Sequence, residues 1–152
     1  MRADDILIDF FEDVSVAPLS AAMHAQCFDK AWIESDFLSA LRIPGTAFEI
    51  LSIAGNPAAF ALYRHIMDEA EILTLGTLPK FRRKGVAAQL LDQGFSHLKA
   101  NEVKYLNLEV GSQNIPAQRL YKEKGFTETG RRQKYYNHNG SFEDAIIMKV
   151  RL

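Results

Sequence analysis

The stretch from Glu69 to Gly94, EAEILTLGTLPKFRRKGVAAQLLDQG, constrains the fold more than any other part of the chain. Ile72 to Leu78 is an apolar, threonine-bearing run of strand length, closed by Pro79. From Val86 the pattern changes: apolar residues fall at Val86, Ala87, Leu90, Leu91, Phe95 and Leu98, the stripe of an amphipathic helix. Between the two lies Arg82-Arg83-Lys84-Gly85. A strand, a short basic turn and a helix entered at Gly85 together predict an anion site. Unpaired N–H groups at a helix start point outward, and the helix dipole favours negative charge there. The small Gly85 and Ala87 let a phosphate approach the backbone closely. The alternative reading is an ordinary strand–helix turn with a solvated basic patch.

The residues at the helix entry exclude two well-defined phosphate loops. A P-loop requires Gly-Lys-Ser/Thr, and the chain has Gly85-Val86-Ala87; the dinucleotide fingerprint requires a third glycine. What remains, Arg82-x-x-Gly85-x-Ala87 behind a strand, resembles the pyrophosphate loop of the GNAT superfamily of N-acetyltransferases, which bind coenzyme A.

The rest of the chain reads in order. Ile6 to Phe11 predicts a strand, and Asp13 or Ser15 caps a helix to about Cys27 with Leu19, Met23 and Cys27 on its apolar face. Phe28 to Trp32 is a break, and Glu34 to Leu41 a short helix ended by Pro44-Gly45. Thr46 to Ala54 and Ala58 to Tyr63 predict strands joined by a Gly55-Asn56-Pro57 turn. Gly94 lies inside the long helix at some cost, without a functional reading. In the run Tyr105 to Val110, Leu106, Leu108 and Val110 face one way and Tyr105, Asn107 and Glu109 the other. Asn114 is an N-cap, Pro116 suits a first turn and Gly125 a helix end, with Ala117, Leu120 and Tyr121 stacked between. Phe126 to Tyr135 and Phe142 to Val150 predict a last hairpin through Asn137-His138-Asn139-Gly140.

This order of elements is that of the GNAT fold: α/β, a mixed central sheet of about seven strands flanked by about four helices, as one domain spanning the 152 residues. The resemblance then narrows. Leu108-Glu109-Val110, Asn114, Leu120-Tyr121, Gly125-Phe126, Arg131-Arg132, Tyr135-Tyr136 and Asp144-Ala145-Ile146-Ile147-Met148 resemble the bacterial ribosomal-protein N-alanine acetyltransferases, over roughly Glu69 to Met148. Two departures stand out: Phe28-Asp29-Lys30-Ala31-Trp32 where the family often has a Pro-Trp-Ser type segment, and Gly111 where many relatives carry Arg.

The resemblance implies an acyltransferase that moves an acetyl group from acetyl-CoA to the N-terminal α-amine of a protein, alanine first and most naturally a ribosomal protein. It assigns Glu109 as the base, acting through water, and Tyr121 as the acid. A free α-amine has a pKa near ~8 and a phenol near ~10, so at neutral pH a base assists the amine and the phenol still carries its proton. Backbone amides of Leu75, Gly76 and Thr77 are expected to hold the pantetheine chain and acetyl oxygen. The loop Arg82, Arg83, Lys84, Gly85, Val86, Ala87 and Ala88 is expected to take the pyrophosphate, with Asn114 touching the cofactor further along. The alternatives are the same chemistry on a small amine or a lysine side chain, and a coenzyme A-binding regulatory module without catalysis.

Composition sets the remaining bounds. Hydrophobic content of 47%, charged content of 24% and a net charge of −1 describe an ordinary globular protein with no field for nucleic acid or membrane. Arg131, Arg132 and Lys134 beside Tyr135 and Tyr136 are therefore read as a two-faced strand end with solvated charges, not as an RNA platform. The single Cys27 suits a reducing compartment and a small buried role. His24, His65, His97 and His138 are scattered without ligand spacing, so no metal is expected. No run approaches a membrane span and the Met1 to Asp5 start has no long apolar core behind it, so a cytoplasmic protein is expected; the sequence leaves the oligomeric state open, with a monomer favoured. Asp68, Glu69, Glu71, Glu34 and Asp36 are candidate carboxylates at the mouth of an acceptor channel, favouring a basic tail behind the first residue.

Overall fold

A computed structural model of the chain describes residues 5–138 and 140–152, with the backbone alone over 134–138. The expected order is found: β1 (Ile6–Phe11), α1 (Ala17–Ala25), α2 (Glu34–Leu41), β2 (Thr46–Ile53), β3 (Asn56–Ile66), β4 (Glu69–Thr77), α3 (Val86–Ala100), β5 (Tyr105–Gly111), α4 (Ile115–Glu123), β6 (Thr127–His138) and β7 (Ser141–Arg151). The strands form one sheet in the order β1-β2-β3-β4-β5-β7-β6. Every pairing is antiparallel except β4 with β5, whose connection runs through α3. The first four residues, Met1 to Asp4, lie outside the described residues, as do the side chains of Lys134, Tyr135 and Tyr136 and all of Asn139 in the last turn.

Two apolar clusters cover the two faces. On one face α3 and α4 pack on Leu51, Ala61, Tyr63, Ile72, Leu106, Leu108 and Met148. On the other, α1 and α2 pack on Phe48, Ile50, Phe60 and Leu62, covering β2 to β4. Beyond them the same face of β5 and β7 carries half-buried Tyr105, Asn107, Glu109 and Lys149. The alternation expected for β5 is found in full, with Leu106, Leu108 and Val110 buried. Among the described residues no helix is long and apolar enough to cross a membrane.

Three local expectations are corrected. The β2–β3 turn is Ala54-Gly55, both at positive φ (50° and 81°), and Asn56 and Pro57 already pair with Ile53 and Ser52. A two-residue turn with both φ positive matches the twist of a hairpin, which the three-residue reading would splay. Leu19 is exposed, because α1 begins after a 3-10 turn at Val14–Val16 and so buries Ala17, Ser20, Met23 and His24. Ser20 is tolerated there because its hydroxyl donates to the Val16 carbonyl at 2.9 Å. Cys27 is half-buried rather than buried, and burial raises its thiol pKa.

Gly94 also acquires a reason. A Cβ there would lie 2.1 Å from the Tyr63 hydroxyl oxygen. Tyr63 stands under α3 and donates to Glu49 Oε1 at 2.8 Å, so the helix crosses the sheet only where it lacks a side chain. Glu49 is fully buried, and burial pushes its carboxyl pKa up to about 8.

Candidate active site

The parallel ladder between β4 and β5 is short. It joins Glu69 to Tyr105, Ala70 to Leu106 and Glu71 to Asn107, and goes no further. The cause lies on the other edge of β4: Leu62 pairs with Thr74 but Tyr63 with Ile72, so Leu73 is an extra residue. Such a bulge bends its strand and adds twist, carrying the end of β4 away from β5. Leu75, Gly76 and Thr77 still pair with β3, while the edge facing β5 carries no ladder. Strand groups on that edge stand open to a ligand in the gap. Gly76 is fixed by packing, since a Cβ would lie 2.8 Å from the Phe60 ring and 3.1 Å from Cys27 Sγ.

The gap leads to the start of α3. Arg83 and Gly85 both adopt positive φ (63° and 73°), and α3 starts with no side-chain cap. The first N–H groups of the helix, at Val86, Ala87 and Ala88, therefore face outward with the positive end of the dipole behind them. Alternating left-handed residues also turn successive amides into a concavity. Nothing lies within 4 Å of a Cβ built on Gly85, so the backbone is accessible to an oxyanion. Lys80 and Lys84 flank the Phe81 ring at 5.8 and 6.0 Å. Arg82 behaves differently: its Nε donates to the Thr77 carbonyl at 2.9 Å, bracing the loop against the end of β4.

Glu109 and Tyr121 lie on opposite faces of β5. Glu109 is on the open face, its Oε1 3.1 Å from an Arg132 guanidinium nitrogen; the two side chains are 22% and 56% exposed. A pair so exposed is weak and opens readily. Tyr121 sits on the α4 side, buried, with Phe126 edge-on at 5.6 Å. Asn114 caps α4 through its carbonyl oxygen, which accepts the Ala117 N–H at 3.3 Å.

The carboxylates expected at a channel mouth separate. Asp36 Oδ2 accepts the Ile33 N–H at 2.9 Å as a helix-start bond. Glu69 pairs with Lys149 at 3.1 Å and Asn107 at 2.7 Å, and these hydrogen bonds hold its carboxyl below the ordinary value. Asp68 lies at the far end of β4, its carbonyl accepting Lys104 and Tyr105. Glu71, exposed, lies on the open face at the point where the ladder ends. Glu34 is exposed in the first turn of α2.

Gly111, at the end of β5, has its Cβ space filled by the Glu143 carboxylate, 2.8 Å away; that carboxylate also accepts the Gln113 N–H at 2.7 Å. An arginine side chain at 111 would displace it. Trp32 packs half-buried against Phe37 (5.2 Å) and His24 (5.8 Å). The contacts of His24, like the bulge at Leu73, have no counterpart in periodicity. Glu49 did leave a trace, as one charge inside the apolar run Ala47-Phe48-Glu49-Ile50-Leu51. The described residues contain no cluster of metal-ligating side chains.

Residues 8–126 match the model of the acetyltransferase (GNAT) family. The ribosomal protein bS18-alanine N-acetyltransferase of Escherichia coli K12 is 35% identical over 134 residues, 87% of this chain and 90% of that one. The crystal structure of an Escherichia coli ribosomal-protein alanine N-acetyltransferase superposes with a TM-score of 0.89, at 29% identity over 96% of this chain and 93% of that one. The Salmonella typhimurium protein yncA, solved with its cofactor acetyl-CoA, shares the fold with a TM-score of 0.78, at 18% identity over 97% and 94%.

Proposed function

The chain belongs to the GNAT acetyltransferase family, and we propose that it moves the acetyl group of acetyl-CoA to the N-terminal alanine of a ribosomal protein. The observation that carries this reading is the gap where β4 leaves β5 after Glu71, joined to an uncapped helix start at Gly85. Open strand amides and a phosphate-sized anion cradle in one line fit a pantetheine arm and its pyrophosphate. The similarity to bS18-alanine N-acetyltransferase over most of both chains supports the acceptor.

Bound acetyl-CoA supplies an activated acetyl thioester. The chain's residues supply the rest. Amides of Leu75, Gly76 and Thr77 orient the acyl group and its oxygen, and those of Arg83 to Ala88 hold the anion, with Arg82 bracing the loop. Asn114, which caps α4 through its side-chain carbonyl, touches the cofactor further along. On the open face Glu109 takes the proton of the attacking amine through water. From the opposite face Tyr121 gives its proton to the departing sulfur. Placing acid and base on opposite faces of β5 suits an acyl substitution in which the amine nitrogen bonds to the acetyl carbon and loses its proton towards Glu109, while the C–S bond breaks and the departing thiolate takes the Tyr121 proton.

A small first residue limits the desolvation and steric cost of reaching the gap. Glu71 on the open face and Glu34 in the first turn of α2 favour a basic residue behind it, mainly through association rate and most at low salt. The test compares an Ala-Arg peptide, its N-terminally blocked copy with one lysine, and spermidine. Transfer to the first alone is expected. Faster transfer to either of the others refutes the acceptor and favours a lysine or small-amine enzyme. Binding of acetyl-CoA without turnover on any of them favours a regulatory module.

A further inference from the structure

His24 ties α1 and the connection that follows it to β4, on one side of the gap. The ring is buried, at 3% exposure, on the last turn of α1. Its Nδ1 accepts the Trp32 backbone N–H at 3.0 Å. With that nitrogen an acceptor, the ring proton resides on Nε2, which donates to Thr74 Oγ1 at 3.0 Å. Phe28 stacks on the ring at 4.3 Å and Phe37 meets it edge-on at 5.7 Å. One side chain thus fastens α1, the Phe28 to Ile33 connection and the bulged part of β4 to each other.

Both partners stand at functional borders. Thr74 follows the bulged Leu73 and directly precedes Leu75-Gly76-Thr77, so its position fixes where the open amides begin. Leu73 and Trp32 pack against one apolar cluster. Through Trp32 the connection packs on the face of the sheet that also carries Glu109, and it leaves Phe28 and Ile33 40% and 63% exposed. Burial, against a small opposing effect of Asp36, pushes the His24 pKa down to about 4, which keeps the neutral ring with one donor and one acceptor.

We propose that His24 is a positioning residue for the acceptor: by holding Trp32 N–H and Thr74 Oγ1 at once, it locks the Phe28 to Ile33 connection, on the face of the sheet that carries Glu109, to the strand that holds the thioester. The depth and angle at which the amine meets the acyl carbon then follow from one rigid joint. This rests on the reading of the gap as the site of acetyl transfer. The loosening need not be large, since about 1 Å of misplacement costs on the order of 10²-fold in rate.

The two bonds can be separated by substitution. His24→Asn keeps an acceptor near Nδ1 and loses the bond to Thr74; His24→Gln keeps a donor near Nε2 and releases Trp32. Both are assayed with the Ala-Arg peptide, with acetyl-CoA affinity by calorimetry. Acrylamide quenching of Trp32, the single tryptophan of the chain, reports the packing of the connection without reference to activity. His24→Gln is expected to raise peptide KM about tenfold and quenching of Trp32, with acetyl-CoA affinity unchanged. His24→Asn is expected to lower kcat while keeping peptide KM. Thr74→Val, which removes only the hydroxyl, is expected to follow His24→Asn and serves if a His24 variant fails to fold. Variants that lose thermal stability yet keep wild-type kcat and peptide KM overturn the proposal, as does a Thr74→Val enzyme with wild-type kcat. If the wild type prefers the blocked lysine peptide or spermidine, the acceptor reading fails, and the same variants are read against that acceptor.

Discussion

Glu49 gives a stability prediction whose sign and size follow from the fold. It is fully buried, its Oε1 accepts from Tyr63, and its Oε2 has no hydrogen-bond partner among the described residues. One hydrogen bond does not compensate a charge in that position, so burial drives the pKa from an ordinary 4.5 to about 8. The folded state therefore holds a proton between those values that the unfolded chain releases. The contribution is fully present below pH 4.5 and is lost as pH rises through 8. At about 1.4 kcal/mol per pH unit inside that interval, the loss between pH 5 and 8 is about 3–4 kcal/mol. Glu49→Gln cannot titrate, so the difference in unfolding free energy between wild type and Glu49→Gln should shift by that amount, against the wild type, as pH rises. Urea unfolding at half-unit steps from pH 5 to 8.5 measures it. His24, with its pKa depressed from 6.5 to about 4, loses stability in the opposite direction as pH falls; being common to both proteins, it cancels in the difference. Parallel curves for the two proteins would refute an acidic group buried neutral in this core.

Three further outcomes follow from the site and its frame. Gly94→Ala should destabilise by about 1–3 kcal/mol despite the gain in helix propensity, read as a lower urea midpoint at constant slope, because its Cβ meets the Tyr63 hydroxyl. Gly85→Asp, which puts bulk and negative charge at the uncapped helix start, should weaken acetyl-CoA binding strongly in a folded protein; unchanged affinity by calorimetry removes the loop from the site. Glu109→Gln should lower turnover by about 10²- to 10⁴-fold at neutral pH with partial recovery as the amine deprotonates, and Tyr121→Phe should lower turnover with acetyl-CoA affinity retained; wild-type rates across pH 6 to 9 in both variants would overturn the two roles.

The sequence by itself determined the elements and one segment of the proposed site. Local signals sufficed there: period-two alternation in Leu106, Leu108 and Val110, the stripe from Val86 to Leu98, the cap at Asn114, and Gly85 at a helix start all act over a few residues. Glu109 was legible for the same reason, since its place opposite a buried alternation is a property of one strand. What tertiary structure alone decided is how separate elements meet. The gap exists because Leu73 is extra against β3, a mismatch between two strands that neither strand records. Gly94 is glycine because Tyr63, far away in sequence, stands beneath it, and Leu19 faces solvent because a 3-10 turn resets where α1 begins. The expected row of mouth carboxylates separated likewise: Glu69 met Lys149 and Asp36 became a cap, leaving Glu71 where β4 and β5 part. His24 bonds Thr74 fifty positions along the chain, and its neutral state follows from burial under residues equally distant in sequence. A side chain's local pattern states which way it points; only the packed fold supplies the partner that gives it a role.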